Sequence, residues 1–438
     1  MNKYYYNNLK KDKPYIGLEI IFSPKCNLKC EYCYVKNYYH STFPNILFET
    51  SQAIENTIKY LDWLGRNDYN PNIEIFSGEL FAQKAGYELI DNMLVFYQTH
   101  SQYRKPKEII IPTNGTFIFS EKYTKKIEEY ISSFKKLGTD FLLSFSIDGL
   151  FLEDNVRSYK KNLDLEENLN YPRTQDFYDK LFCFMKKYNF FIHPMVSSEG
   201  ISKWKENFLW IQDMYKKYDI NWYDLYLLEV RNYNWTEEKI KTFTSFIEFL
   251  MDYGWEKCVH NKKEFLEWML VKDKKVAAGF NILSNNTGGS SSFGVKCSQQ
   301  NYLMLRPADM KVFFCHRLMY PELEIGSYTL NNNDFIFNTK HAELGLVANS
   351  FKASSLPVCN TCNLRYICTT QCLGSCYETT GEMFAPIPSI CALNYAKVLT
   401  IIKKLKEYHC YLDFLSYLLP EKRKAFIELS SKEIGNGF

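Results

Sequence analysis

The sequence lacks the features that mark nucleic-acid-binding, membrane or secreted proteins. Across 438 residues, 53 lysines and arginines stand against 50 aspartates and glutamates, for a net charge of +3. There is no basic domain and no long charge run, so nucleic acid is not an expected partner. No uninterrupted apolar run reaches the length of a bilayer span, so a membrane is not expected either. Residues 1–14 are polar, without the apolar centre of a signal peptide, and a cytoplasmic location is expected. Linkers are scarce; the best, NNTGGSSS, covers 285–292. Tyrosine and phenylalanine are abundant and lysine outnumbers arginine, but an AT-rich coding sequence accounts for both. No aromatic binding platform is inferred from them.

Cysteine is what the chain has in quantity. Fourteen cysteines in a chain of this kind argue for metal or cluster ligation, not a disulfide framework. Eleven of them fall in two groups. Cys26, Cys30 and Cys33 form C-x3-C-x2-C directly after an apolar stretch. Three thiolates on one loop can hold three irons of a four-iron cluster and leave the fourth iron open. The competing reading is a three-thiolate zinc site completed by His40, although zinc loops usually pair two C-x2-C units. The second group is Cys297, Cys315, then Cys359, Cys362, Cys368 and Cys372 in C-x2-C-x5-C-x3-C, followed by Cys376 and Cys391. Eight thiolates could supply two four-ligand clusters, and zinc would satisfy the same donors. Cys183, Cys258 and Cys410 stand apart and read as buried apolar thiols.

The first 250 residues alternate between strand and helix patterns. Strands are expected over 15–22, 72–76, 108–111, 141–147, 190–196 and 223–230. Helices are expected over 51–66, 86–97, 121–137, 176–188, 204–218 and 237–253. Such alternation predicts an α/β fold with a parallel sheet and outer helices. Six units suit a partial (β/α)6 TIM-like barrel better than a complete eightfold one. Ligands of such sheets sit at the carboxyl ends of the strands, and the polar signals cluster there. They are the first cysteine loop, Ser77-Gly78-Glu79-Leu80, Thr113-Asn114-Gly115, Ser146-Ile147-Asp148-Gly149, His193-Pro194 and Glu229-Val230-Arg231. Residues 151–173 read as a long polar loop.

With Tyr32 just before its third cysteine, the first loop resembles the cluster loop of the radical S-adenosylmethionine (SAM) superfamily, whose partial barrel residues 15–253 also resemble. The resemblance implies that Cys26, Cys30 and Cys33 hold a [4Fe-4S] cluster whose open iron chelates SAM. One electron then yields a 5'-deoxyadenosyl radical that abstracts a substrate hydrogen. Ser77-Gly78-Glu79-Leu80 resembles the family's Gly-Gly-Glu-Pro motif, with Ser and Leu replacing its first Gly and its Pro. Tyr32, Ser77, Gly78, Glu79, Asn114, Ser146, Asp148 and Arg157 are the implied SAM contacts, with Arg157 suited to pair with the SAM carboxylate.

The second cysteine group resembles the SPASM extension of peptide- and protein-modifying radical SAM enzymes. It implies two auxiliary [4Fe-4S] clusters, three in all. Cys297, Cys315 and Cys372 would hold the inner one, completed by Cys376 or left with an open iron. Cys359, Cys362, Cys368 and Cys391 would hold the outer one. A departure from the family pattern is Met310, where a glycine is usual. The implied organisation is a barrel over 1–253, a bridging region over 254–296, a Cys-rich auxiliary-cluster domain over 297–391 and a helical tail over 392–438. The implied activity is that of an oxidoreductase on a ribosomally made precursor peptide, installing an intramolecular thioether, C–C or C–O cross-link. The alternatives are a sulfatase-type maturase that makes formylglycine, a small-alcohol dehydrogenase and, from a different class, a non-catalytic zinc scaffold. Flavodoxin or ferredoxin would supply electrons. With about 14 residues before the first strand, any leader-binding domain is expected to be a separate protein or absent.

Overall fold

The computed structural model describes residues 15–35, 49–152, 157–159, 165, 169, 172–222, 225, 227–270, 302–332, 334–341, 343–344, 356–365, 367–368 and 372–432. His40, Cys297, the 285–292 linker and most of the 151–173 loop lie outside them. The strands are β1 (Tyr15–Ile21), β2 (Leu28–Cys30), β3 (Asn70–Phe76), β4 (Glu108–Thr113), β5 (Asp140–Phe145), β6 (Arg157–Tyr159), β7 (Phe191–Ile192), β8 (Met195–Val196), β9 (Leu228–Glu229), β10 (Tyr302–Arg306), β11 (Lys311–Phe313), β12 (Glu324–Asn331) and β13 (Asp334–Thr339). The chain divides into two compact units. The first comprises Met1–Ile147, Arg157–Phe190 and Ser298–Leu346. The second comprises Asp148–Val156, Phe191–Cys297 and Val347–Phe438.

In the first unit the sheet runs β13-β12-β11-β10-β1-β3-β4-β5. β10, β1, β3, β4 and β5 are parallel, and β11 to β13 continue from β10 as an antiparallel meander. Side chains alternate across a strand. Leu18, Ile20, Ile73, Ile75, Ile109, Ile111 and Leu143 form one buried face, as strands packed under helices require. The helices Thr50–Arg66, Lys84–Thr99, Glu121–Lys136 and Gln175–Tyr188 lie within a few residues of their expected bounds. Ser120 caps the third, its side chain accepting from Tyr123 N, with Glu121 in the first turn and Lys135 and Lys136 in the last. The first helix buries Ala53, Thr57, Tyr60, Leu61 and Leu64, leaving Ile54 and Ile58 only partly covered. The buried face is turned toward Tyr60 because its ring packs on Tyr328 and Phe335 of β12 and β13, at 5.1 and 5.4 Å.

In the second unit the fifth and sixth expected strands are cut short. His193 and Pro194 part β7 from β8, since proline offers no N–H to a ladder. β8 pairs in parallel with β9 through Met195↔Leu228 and Val196↔Glu229. The long helices are Trp204–Lys217, Glu237–Lys257 and Pro388–Glu407. Thr236 caps the second, its hydroxyl accepting from Lys239 N at 3.4 Å. Lys397 and Glu229 form a buried ion pair that ties the third helix to the end of β9. Cys258 and Cys410 are buried as expected. Cys183 is exposed on the outer side of Gln175–Tyr188, which corrects its reading as a core thiol. No helix among the described residues is long and apolar enough to cross a membrane.

Candidate functional site

The loop after β1 is held by the turn after β3. Ser23 O accepts from Gly78 N at 2.7 Å and from Ser77 Oγ at 2.6 Å. Lys25 O accepts from Glu79 N at 2.8 Å and from Gln83 Nε2 at 3.0 Å. Only glycine fits at 78: a Cβ there would lie 2.2 Å from Lys25 O and 2.4 Å from Pro24 O. Glu79 is 2 % exposed. Its Oε1 accepts from Thr113 Oγ1 at 2.8 Å and Phe81 N at 3.2 Å, and its Oε2 from Asn114 N at 2.5 Å. Burial pushes its carboxyl above the ordinary range, while the Asn114, Thr113 and Phe81 hydrogen bonds pull back. Asn27, inside the cysteine loop, accepts from Asn114 Nδ2 at 2.8 Å and donates to Thr116 Oγ1 at 3.0 Å. Arg173 Nη2 donates to Asn114 O at 3.0 Å, and Gly115 takes the left-handed φ of 75° that its turn needs.

These contacts gather the carboxyl ends of β1, β3 and β4 around the first three cysteines. Burial, then the neighbouring Cys30 and Glu79, push the Cys26 thiol up strongly, with Cys33 adding to the effect. Crowding these acidic groups together is costly, and a bound cation would reverse that cost. β2 pairs with β6 so that Cys30 faces Arg157, and the Arg157 guanidinium lies 6.0 Å from the Tyr32 ring centre. The structure therefore brings together Tyr32, Ser77, Gly78, Glu79, Asn114, Arg157 and the three cysteines. Ser146 lies just past β5, its N–H on Thr113 O at 2.8 Å. Asp148 belongs to the second unit. There its carboxylate accepts from Met195 N at 2.8 Å and its carbonyl from Asn207 Nδ2 at 2.6 Å. Sequence reasoning passed over Asn27, Gln83, Thr116 and Arg173. The first three were signalled by polar side chains inside or beside motifs already marked; Arg173 sat in an uninformative polar run.

Cys315 lies in the first unit, directly after β11 and Phe314. In the second unit, Cys359, Cys362, Cys368, Cys376 and Cys391 line one cavity of about 350 Å³ with Leu356, Leu364, Leu373 and Phe384. Cys376 thus shares a wall with the four cysteines of the expected outer group. Cys372 caps the helix Leu373–Thr380, and its carbonyl accepts from Cys376 N at 2.9 Å.

The donor set suits iron–sulfur clusters. Cys26, Cys315 and Cys362 each accept at sulfur from the backbone N–H two residues on, at 3.3, 3.4 and 3.3 Å. Asn394 Nδ2 donates to Cys368 Sγ at 3.8 Å. Such bonds stabilise thiolate ligands and tune clusters.

No protein-family model matches the chain. Over 184 residues it is 26% identical to the radical SAM cyclopropyl synthase TigE of Paramaledivibacter caminithermalis, covering 38% of this chain and 36% of that protein. The chain therefore spans about a third of that relative's length. Among solved structures, a polyhistidine-tagged anSMEcpe with bound AdoMet is similar over 90% of this chain and 98% of its own, with TM-score 0.57 and 18% identity. Native anSMEcpe with bound AdoMet and the Cp18Cys peptide is similar over 90% and 99%, with the same TM-score and identity. At that identity the likeness is one of fold.

Proposed function

We propose that this chain, a radical SAM enzyme of the SPASM type by its resemblance in motif and fold, is a peptide maturase that installs an intramolecular cross-link. The observation that carries the reading is the gathering of three cysteines, Glu79, Asn114 and Arg157 at the strand ends. The fold likeness to a structure holding AdoMet and a peptide supports it. The relative named as a cyclopropyl synthase supports a carbon–carbon bond among the three candidate links. The Cp18Cys peptide in the structural neighbour favours a second reading, oxidation of a substrate cysteine to formylglycine.

Bound here, a [4Fe-4S] cluster with SAM supplies a 5'-deoxyadenosyl radical for hydrogen abstraction. Cys26, Cys30 and Cys33 would hold that cluster. Arg157, buried beside Tyr32, supplies fixed positive charge for the SAM carboxylate. Glu79, Asn27 and Asn114 keep the loop and the two strand-end turns in one geometry. Cys359, Cys362, Cys368 and Cys391 would hold the outer auxiliary cluster in a cavity lined largely by apolar side chains. The motif resemblance alone assigns Cys297, Cys315 and Cys372 to the inner one. A short precursor peptide is the substrate, and a flavodoxin or ferredoxin the electron donor.

The test is mass spectrometry of candidate peptides co-expressed with the enzyme. Loss of two hydrogens supports a cross-link, and replacement of a cysteine sulfur supports formylglycine. Cys26, Cys30 and Cys33 changed together to Ala should abolish 5'-deoxyadenosine formation while iron remains in the C-terminal region. A triple variant that still cleaves SAM under reducing conditions defeats the reading.

A further inference from the structure

Opposite the buried apolar face of β1 and β3, the first unit's sheet carries two carboxylates side by side. Leu18, Ile20, Ile73 and Ile75 share one face of β1 and β3 and are all but fully buried. Between them Glu19 of β1 and Glu74 of β3 project the other way, directly side by side in the parallel register. On the other flank of Glu19 stands Met304 of β10. Glu19 is 2 % exposed, and its Oε2 lies 3.2 Å from His316 Nδ1. The His316 ring in turn stacks on Phe76 at 4.1 Å. Glu74 is half-buried, more open than Glu19 beside it.

The titratable groups facing Glu74 are Glu19 from β1, His316 from the segment after β11 and Glu108 from β4. Glu108 is held by Asn72, whose Nδ2 donates to its Oε1 at 2.5 Å. Two carboxylates set side by side and partly withdrawn from water do not both ionise cheaply. Burial first, and then the Glu19 carboxylate, push the Glu74 carboxyl up to about 7, with His316 lowering it and Glu108 raising it. A carboxyl that takes and gives a proton near neutrality suits general-base work.

We propose that Glu74 is the proton acceptor of the cross-linking reaction, with Glu19 and His316 as the residues that position it. The proposal rests on the peptide-maturase reading. When a substrate carbon radical closes a bond to a nucleophile X–H, the X–H bond breaks, the C–X bond forms, and one proton and one electron leave. Glu74 takes the proton, and an oxidised iron–sulfur cluster, if held by the C-terminal cysteines, would be the electron acceptor the balance requires. Glu74 stands three residues before the Ser77–Glu79 turn that grips the cysteine loop, about 10 Å along the strand.

The test is infrared difference spectroscopy against pH on the reconstituted enzyme, with Glu74→Gln, Glu74→Asp and Glu108→Gln. The expected result is a protonated-carboxyl band that titrates near pH 7 in wild type and in Glu108→Gln, is absent in Glu74→Gln, and is shifted in Glu74→Asp. With a peptide that wild-type enzyme modifies, Glu74→Gln should raise the 5'-deoxyadenosine formed per peptide modified at least tenfold, and Glu74→Asp should restore part of the coupling. A band that persists in Glu74→Gln, or coupling within twofold of wild type, overturns the proposal. The band needs no substrate, so it tests the proton site separately. Failure of the maturase reading shows instead as a peptide that wild-type enzyme leaves unmodified.

Discussion

Gly78→Ala should disrupt both the cysteine loop and the turn that holds it. The added Cβ would sit 2.2 Å from Lys25 O and 2.4 Å from Pro24 O, both backbone atoms of the cysteine loop. Restoring a tolerable contact means moving the two segments apart by most of an ångström. The bonds Gly78 N to Ser23 O and Glu79 N to Lys25 O, now 2.7 and 2.8 Å, would then stretch beyond useful hydrogen-bond length. Their loss costs about 0.5–1.5 kcal/mol each, and the overpacking adds ~1–3 kcal/mol. The total of about 2–6 kcal/mol corresponds to a Tm drop of roughly 4–24 °C at ~2–4 °C per kcal/mol. Because Cys26 follows Lys25 directly, iron loading at the first loop should fall as well. Gly138→Ala is the control: its Cβ meets nothing within 4 Å, and only its φ of +80° opposes a side chain, at about 1–2 kcal/mol. Thermal scans and iron content per chain decide it. Wild-type Tm and iron in Gly78→Ala, or equal damage from Gly138→Ala, would refute the close-approach argument.

Four further outcomes are expected. Glu79→Gln sets an amide against donors that now meet a carboxylate, so SAM affinity should fall ~10- to 150-fold, the equivalent of a charged hydrogen bond of about 1.5–3 kcal/mol; an unchanged SAM titration contradicts this. Lys397→Met strands Glu229 in a buried site and should cost ~3–5 kcal/mol in denaturant unfolding, with Glu229→Leu added to it recovering much of the loss; a double variant no better than the single one counts against an ion-pair origin. Cys376→Ala should keep its full iron content, because four other cysteines line the same cavity, while Cys368→Ala should lose about four irons; iron loss in Cys376→Ala would return that thiol to a ligand set. Glu74 holds its proton more tightly when folded (about 7) than its ordinary value of 4.5, so between those values the native state binds more protons and stability falls as pH rises; that slope should flatten in Glu74→Gln, and an unaltered denaturation midpoint-against-pH curve would contradict it.

Much of this architecture is legible from periodicity. Long amphipathic helices and the strands ahead of them stand within a few residues of expectation, because burial of one face imposes the pattern. What was not legible depends on partners distant in sequence. Tyr60 turns its helix only because β12 and β13 place Tyr328 and Phe335 beneath it. Pro194 shortens a strand that its apolar neighbours advertise. The run Tyr302–Arg306 is apolar enough to read as a strand, yet nothing local says that it joins β1. The cysteines and Glu79 stand out by spacing. Asn27 and Thr116 join the site through hydrogen bonds that no spacing encodes, and Glu74 looks like an ordinary strand residue until Glu19 is set beside it.

The pairing of β10 with β1 also bears on how the chain is made. Gly17 finds its neighbour Tyr302 roughly 285 residues later. At ~5–20 residues per second, synthesis leaves that flank of β1 without its partner for about 15–60 s. Throughout that interval the edge at Gly17–Ile20 is a bare row of backbone donors and acceptors next to an apolar strand, the arrangement that invites intermolecular pairing. Truncations that stop short of residue 302 would make the exposure permanent. They should accumulate as insoluble protein even though every strand from β1 to β5 is intact.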